Sequence, residues 1–293
     1  MLKVTVVGAG SVGSVLSLML KRRGHSIVSV ISKSRKSARD LAQLVHCKNA
    51  GDKVSAISPE TTFMLITTPE NAVERVALSI SGITLAFAKI FVAHTSGALS
   101  SDVLSSLADR GARTFSFHPI QTFPANGRSS FPLSSMKDVW YGFEGPTNTR
   151  PLARRLTKIL GGRFLEVPKE KKVLYHLACV FASNYPVAIL GAVERLAQQV
   201  SGGDIAPFQK LFESSSQNAF RMSASKALTG PISRGSTSII HRHMAELSSK
   251  EPELLRMYSS LGLFALEILR EKGILKDDDM RHIESLLSGN DDR

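Results

Sequence analysis

Apolar positions along the first 145 residues fall into short runs separated by amphipathic stretches, the alternation of strands and helices. Lys3-Val4-Thr5-Val6-Val7 opens as a strand, residues 14–22 follow as a helix, and Gly24-His25-Ser26 turns the chain into a second strand, Ile27-Val28-Ser29-Val30-Ile31. A helix over 40–49, a short edge strand at Val54-Ser55-Ala56-Ile57 and a buried strand over 62–68 come next. The pattern continues with a helix over 72–80, a strand over 89–93, a helix over 100–109, a strand over 114–117 and a further strand over 139–143. Residues 125–135, rich in Gly, Pro and Ser, read as a loop, and 145–148 read as a hinge. Beyond Arg150 the period turns helical, with segments near 150–160, 170–200, 205–228, 237–248, 252–272 and 277–288, and a break at 228–236. The expectation is an α/β chain: a Rossmann-type doubly wound parallel sheet over 1–146, then an all-α domain over 147–293.

The first strand runs directly into Gly8-Ala9-Gly10-Ser11-Val12-Gly13, a Gly-x-Gly-x-x-Gly turn that opens a helix. Gly8 allows the tight turn, Gly10 lets backbone approach a pyrophosphate, and Gly13 lets helix and strand pack closely. The first N–H groups and the positive dipole end of the helix then face the phosphates. At the end of the second strand, where a carboxylate would bond the ribose 2′-hydroxyl of NAD, stand Ser32, Lys33, Ser34 and Arg35. Hydroxyls and a guanidinium suit a 2′-phosphate, so this turn favours NADP(H) over NAD(H).

The 43% hydrophobic content supports sizeable cores in 293 residues. No uninterrupted apolar stretch is long enough for a membrane span, and the N-terminus enters a strand without a signal-like segment, so a cytoplasmic protein is expected. Cys47 and Cys179 fit reduced thiols. The net charge of +12 is scattered without interleaved aromatics, which argues against nucleic acid and for anionic small ligands.

Strand ends are where open α/β sheets hold ligands. Three of them supply Thr67, Thr68 and Pro69, then His94 and Ser96, then His118, grouped around the expected nicotinamide position. An imidazole there exchanges a proton at the carbon that receives hydride; the competing reading is that these histidines cap strands. The helix over 172–186 carries a polar seam of His176, Ser183 and Asn184 through apolar surroundings, for which interhelical hydrogen bonding is the plainer alternative. His241 and His243 face different ways on a helix and suggest no metal.

His94-Thr95-Ser96-Gly97-Ala98, Ser116-Phe117-His118-Pro119-Ile120-Gln121-Thr122-Phe123, Tyr175-His176 with Ala182-Ser183-Asn184-Tyr185, and Ala227-Leu228-Thr229-Gly230-Pro231 with Arg234-Gly235 occur in this order. Together they resemble a bacterial family of Rossmann-like NADP oxidoreductases with a C-terminal domain of unknown function. That resemblance spans nearly the whole chain and implies the cofactor but no substrate. The two-domain plan is more distantly similar to β-hydroxyacid and phosphogluconate dehydrogenases, ketopantoate reductase and pyrroline-carboxylate reductase, which implies a homodimer through the helical domain. The His118-Pro119 turn is similar to prephenate dehydrogenase, where the equivalent histidine is catalytic. Two departures stand out: Ser236 replaces the acidic residue expected after Arg-Gly, and Val180 stands where β-hydroxyacid dehydrogenases carry a lysine one turn before their asparagine. His176 is the nearest substitute for that lysine. The expected activity is NADP(H)-dependent hydride transfer to or from a small carbonyl, imine or hydroxy-acid-like substrate. His118 or His176 would exchange the proton, and Asn184 would orient the reacting atom. The alternative is a non-catalytic NADP(H)-binding sensor or interaction protein.

Overall fold

A computed structural model describes residues 1–124, 131–271, 273 and 275–289. The expected loop over 125–135 lies partly outside the described residues. The N-terminal elements are β1 (Lys3–Val7), α1 (Ser11–Arg22), β2 (Ser26–Ile31), α2 (Arg35–Leu44), β3 (Ala50–Gly51), β4 (Phe63–Ile66), α3 (Glu70–Ser81), β5 (Phe91–His94), α4 (Ser105–Ala108) and β6 (Arg113–Pro119). They are followed by β7 (Trp140–Glu144), α5 (Arg150–Ile159), β8 (Arg163–Glu166) and the 30-residue α6 (Lys172–Ser201). The strands form one sheet in the order β3-β2-β1-β4-β5-β6-β7-β8. All pairings are parallel except β6 with β7.

Alternation along each strand feeds two cores. Phe63 and Leu65 of β4 join Leu16, Leu20, Phe115, Phe117 and Tyr141 on one face. Met64 and Ile66 join Val73, Ile80, Val92 and Leu107 on the other.

Several local expectations are corrected. Val54–Ala56 is a 3-10 turn, and the sheet edge is made by Ala50–Gly51. The helix expected over 100–109 is a 3-10 turn, Ser101–Leu104, leading into one short α turn. The sheet also runs past the expected hinge at 145–148: β8 pairs with β7 through Trp140↔Arg163 to Phe143↔Glu166. The first compact unit accordingly extends over Met1–Tyr185 and includes the start of α6.

The second unit, Pro186–Arg293, holds the rest of α6 with α7 (Ala206–Met222), α8 (Ala224–Ala227), α9 (Thr237–Lys250), α10 (Pro252–Arg270) and α11 (Asp277–Ser288). Its core gathers Ile240, Leu266, Met280, Ile283 and Leu287, and Gly262 gives the room that lets Leu287 pack closely. Contrary to the hydropathy expectation, the helix over Lys169–Ser201 is long and apolar enough to cross a membrane by length and composition. Its first turns are nevertheless tied into the sheet by side-chain hydrogen bonds.

Candidate active site

The C-terminal ends of β1, β2, β4, β5 and β6 border a cleft of about 540 Å³ within the first unit. One end is the glycine turn. Gly8 has φ +112°, and a Cβ there would lie 2.7 Å from the Thr67 carbonyl carbon. A Cβ on Gly13 would come within 2.1 Å of the Gly8 oxygen. Both glycines are therefore required by close packing, which Thr67 fastens by donating its hydroxyl to the Gly8 carbonyl at 2.6 Å. Gly10 differs: a Cβ there would meet nothing within 4 Å, because the position faces the open cleft. Gly10 caps α1 with no side chain, so the helix's first N–H groups are left to a ligand. The Thr68 hydroxyl is buried without a hydrogen-bond partner at the same end. An uncapped helix start, an open glycine and an orphaned hydroxyl fit a dinucleotide pyrophosphate.

Gly8, Ala9, Gly10, Ser11, Val12, Ser32, Lys33, Thr67, Thr68 and Pro69 all line the cleft. Ser34 and Arg35 are not among the lining residues. Ser34 caps α2 by accepting from the Ser37 N–H, and Arg35 pairs through Nε with Asp52 at 2.9 Å. That pairing holds the Asp52 carboxyl below its usual range.

At the other end, His118, His176, Gly97 and Ser96 line the cleft. His118 leaves β6 with its Nδ1 2.6 Å from the Tyr175 hydroxyl, and its ring stands 6.4 Å from that of His176. Gly97 allows this approach, since a Cβ would lie 2.6 Å from the His176 ring and 3.0 Å from that of His118. Burial, and after it the charges of Lys172, His176 and His94, push the His118 imidazole down to about 3, so it is neutral at physiological pH.

The remaining expected residues have other partners. His94 is fully buried and lies outside the cleft lining; its Nδ1 accepts from the Ser96 N–H and its Nε2 donates to the Ser100 carbonyl, pinning the loop after β5. The Ser96 hydroxyl donates to Glu70 and accepts from the Ala98 and Leu99 N–H groups at 3.2 and 3.1 Å. Asn184 is exposed, accepts from the Ser183 hydroxyl at 3.0 Å and is not among the cleft residues. The polar seam of α6 is thus split: His176 reaches the cleft, whereas Ser183 bonds back to the Cys179 carbonyl.

Two residues escaped the sequence reading as site residues. Lys172 is 2% exposed and donates to the Ser116 hydroxyl at 2.9 Å, with Ser96 O at 3.4 Å. Burial pushes its ammonium down to about 8, against the opposing pull of Glu144, Cys179 and Glu70. Tyr175 fills a niche over β7. The signal for both was present: a lysine and a tyrosine beginning an otherwise apolar helix.

Residues 1–119 match a Rossmann-like domain, and residues 139–288 match the domain of unknown function DUF2520. No curated protein sequence matches the chain. Among solved structures, a candidate NADP oxidoreductase from Bacteroides fragilis is 21% identical over 91% of this chain and 98% of its own, with a TM-score of 0.77. A protein from Thermotoga maritima is 22% identical over 92% of this chain and 99% of its own, with a TM-score of 0.65. Prephenate dehydrogenase from Aquifex aeolicus, bound to hydroxyphenyl propionate and NAD+, is 16% identical over 94% of this chain and 96% of its own, with a TM-score of 0.57. At these identities the likeness is one of fold: a Rossmann-like domain followed by a helical region. The DUF2520 match takes in half of the sequence, and the chain belongs to that family, with a Rossmann-like domain preceding the family domain.

Proposed function

We propose that this protein is an NADP(H)-dependent oxidoreductase acting on a small carbonyl, imine or hydroxy-acid-like compound. The observation that carries the reading is a single cleft with an open, uncapped glycine turn at one end and a neutral, half-buried histidine at the other. When bound, the nicotinamide supplies or accepts hydride. The chain's own residues do the rest. Gly8 to Gly13 and Thr68 bind the pyrophosphate, and Thr67 holds the turn in shape. Ser32 and Lys33 meet the adenosine ribose. Arg35, bonded through Nε, keeps its two terminal nitrogens for a 2′-phosphate, and no carboxylate stands at position 32 to repel one. His118 and His176 bracket the reacting atom of the substrate, with Gly97 letting both rings close on it.

We also propose that a second copy covers α6. Leu174, Leu177, Phe181 and Tyr185 recur on one helical stripe and are 67, 44, 62 and 47% exposed in the single chain, more contiguous apolar surface than a lone soluble helix ordinarily shows.

Fluorescence titration with NADPH and with NADH tests the cofactor reading. Tight NADPH and weak NADH binding supports it, and binding of neither overturns it. A subsequent screen of carbonyls and imines separates an enzyme from a sensor, because a sensor leaves bound NADPH unoxidised.

A further inference from the structure

We infer that Tyr175 is a positioning residue that fixes His118 in the tautomer bearing its proton on Nε2, so that His118 meets substrate as a hydrogen-bond donor. This rests on the proposed oxidoreductase reading and adds a direction to it. Three observations carry it. The first is the hydrogen bond itself. At 2.6 Å the Tyr175 oxygen and His118 Nδ1 lie at the separation of an O–H donor, shorter than the 2.9–3.0 Å typical of an N–H donor. The phenol therefore gives its proton to Nδ1, and the imidazole, neutral here, must carry its own on Nε2.

The second is that β7 is built to receive this hydroxyl. Gly142 is the register partner of His118 across the antiparallel β6–β7 pair. A Cβ at Gly142 would lie 2.3 Å from the Tyr175 hydroxyl oxygen, so the missing side chain is the niche in which the phenol sits. The third is that the phenol keeps its proton. Burial, and after it the neighbouring Cys179 thiol, raise Tyr175 above the ordinary tyrosine range, so the phenol has a proton to give throughout the working pH range, and the short contact assigns that proton to His118 rather than to Cys179.

The ring edge that reaches Gly97 and the cleft is the Nε2 edge: Cε1 and Nε2 are the His118 atoms a Cβ on Gly97 would touch, at 3.0 and 3.2 Å. An N–H presented there polarises a carbonyl oxygen or an imine nitrogen, as reduction needs. A bare nitrogen, which would take a proton from an alcohol, is not what this edge offers. The proton that completes the reduced product then comes from solvent, which reaches this end of the open cleft.

The test reads the tautomer directly and needs neither substrate nor cofactor. In protein labelled with 15N-histidine, long-range 1H–15N correlation spectra distinguish a protonated ring nitrogen from a bare one, and the His118 signals are assigned by their loss in His118→Gln. The wild type is expected to show Nε2 protonated and Nδ1 bare as a single species. Tyr175→Phe, and independently Gly142→Ala, which displaces the hydroxyl, are expected to lose that single species and give a mixture of the two tautomers. NADPH affinity should stay within about twofold in Tyr175→Phe, since the hydroxyl is spent on His118 away from the glycine turn. A proton on Nδ1 in the wild type, or an unchanged single tautomer in folded Tyr175→Phe, overturns the inference. Failure of NADPH to bind a protein that shows the predicted tautomer overturns the oxidoreductase reading instead, so the two outcomes are distinct.

Discussion

Lys172 is an ammonium placed almost wholly out of water, and replacing it by methionine should change how stability depends on pH. Its pKa falls from 10.5 to about 8 in the folded chain, chiefly through burial. The charged form is thus disfavoured by about 3 kcal/mol relative to the unfolded chain. Between about pH 8 and 10.5 the unfolded chain still holds this proton while the folded chain has released it. The unfolded state binds more protons in that window, so stability rises with pH there, and the penalty is fully present below it. Worked through, the penalty is about 3 kcal/mol at pH 7 and about 1.5 at pH 9.5. Lys172→Met removes this titration, and the charge it also lifts from His94 and His118 bears on groups that titrate below this window. The offset between the two proteins at any one pH mixes several effects: lost bonds to Ser116 and Ser96, a buried Glu144 deprived of a cation that attracts it, and relief from desolvation. The change of that offset with pH isolates Lys172. Urea unfolding followed by the fluorescence of Trp140, the only tryptophan and a member of β7, reports on the unit that contains the lysine. The wild type should gain about 2 kcal/mol on the variant between pH 7 and 9.5. Parallel profiles, within about 0.5 kcal/mol, would refute the claim that the ammonium is held charged and desolvated at neutral pH.

Gly10→Ala should fold as the wild type does, because its Cβ meets open space, yet lose about tenfold or more in NADPH affinity by fluorescence titration. Gly13→Ala, whose Cβ meets the Gly8 carbonyl oxygen at 2.1 Å, should instead lower stability by about 2 kcal/mol or more in thermal unfolding. Arg35→Ala should cost NADPH about 1.5–3 kcal/mol of binding and leave NADH nearly unchanged; equal losses would refute a role in reading the 2′-phosphate. Leu177→Glu with Phe181→Glu should leave the circular dichroism spectrum intact and halve the mass seen by light scattering, since both side chains are already exposed in the single chain. A wild type that runs as a monomer of 31.8 kDa would sink the dimer.

The sequence by itself determined the α/β plan, the glycine turn and the His118 end of the cleft. These are local matters: period-2 and period-3.6 patterns, and a turn whose glycines are demanded by immediate neighbours. Strand ends of a parallel sheet converge by topology, which is why the sequence alone groups Thr67, Thr68 and His118. Tertiary structure decided the rest, because partners there come from distant elements. His94 looks like a cleft residue in the chain but is buried outside the lining and bonded to Ser96 and Ser100, whereas Ser96 does line the cleft, its hydroxyl held by Glu70 and the backbone of 98 and 99. Arg35 spends its Nε on Asp52, 17 residues on, and Asn184 accepts from its neighbour Ser183. The strand at Arg163–Glu166 is only four residues long and half-exposed, so its periodicity is lost between two helices. Tyr175 acquires its role only because a glycine on β7, 33 residues upstream, leaves the volume that the phenol fills beside His118. Periodicity records which face a residue takes; which polar group waits on that face is settled by packing across the whole unit.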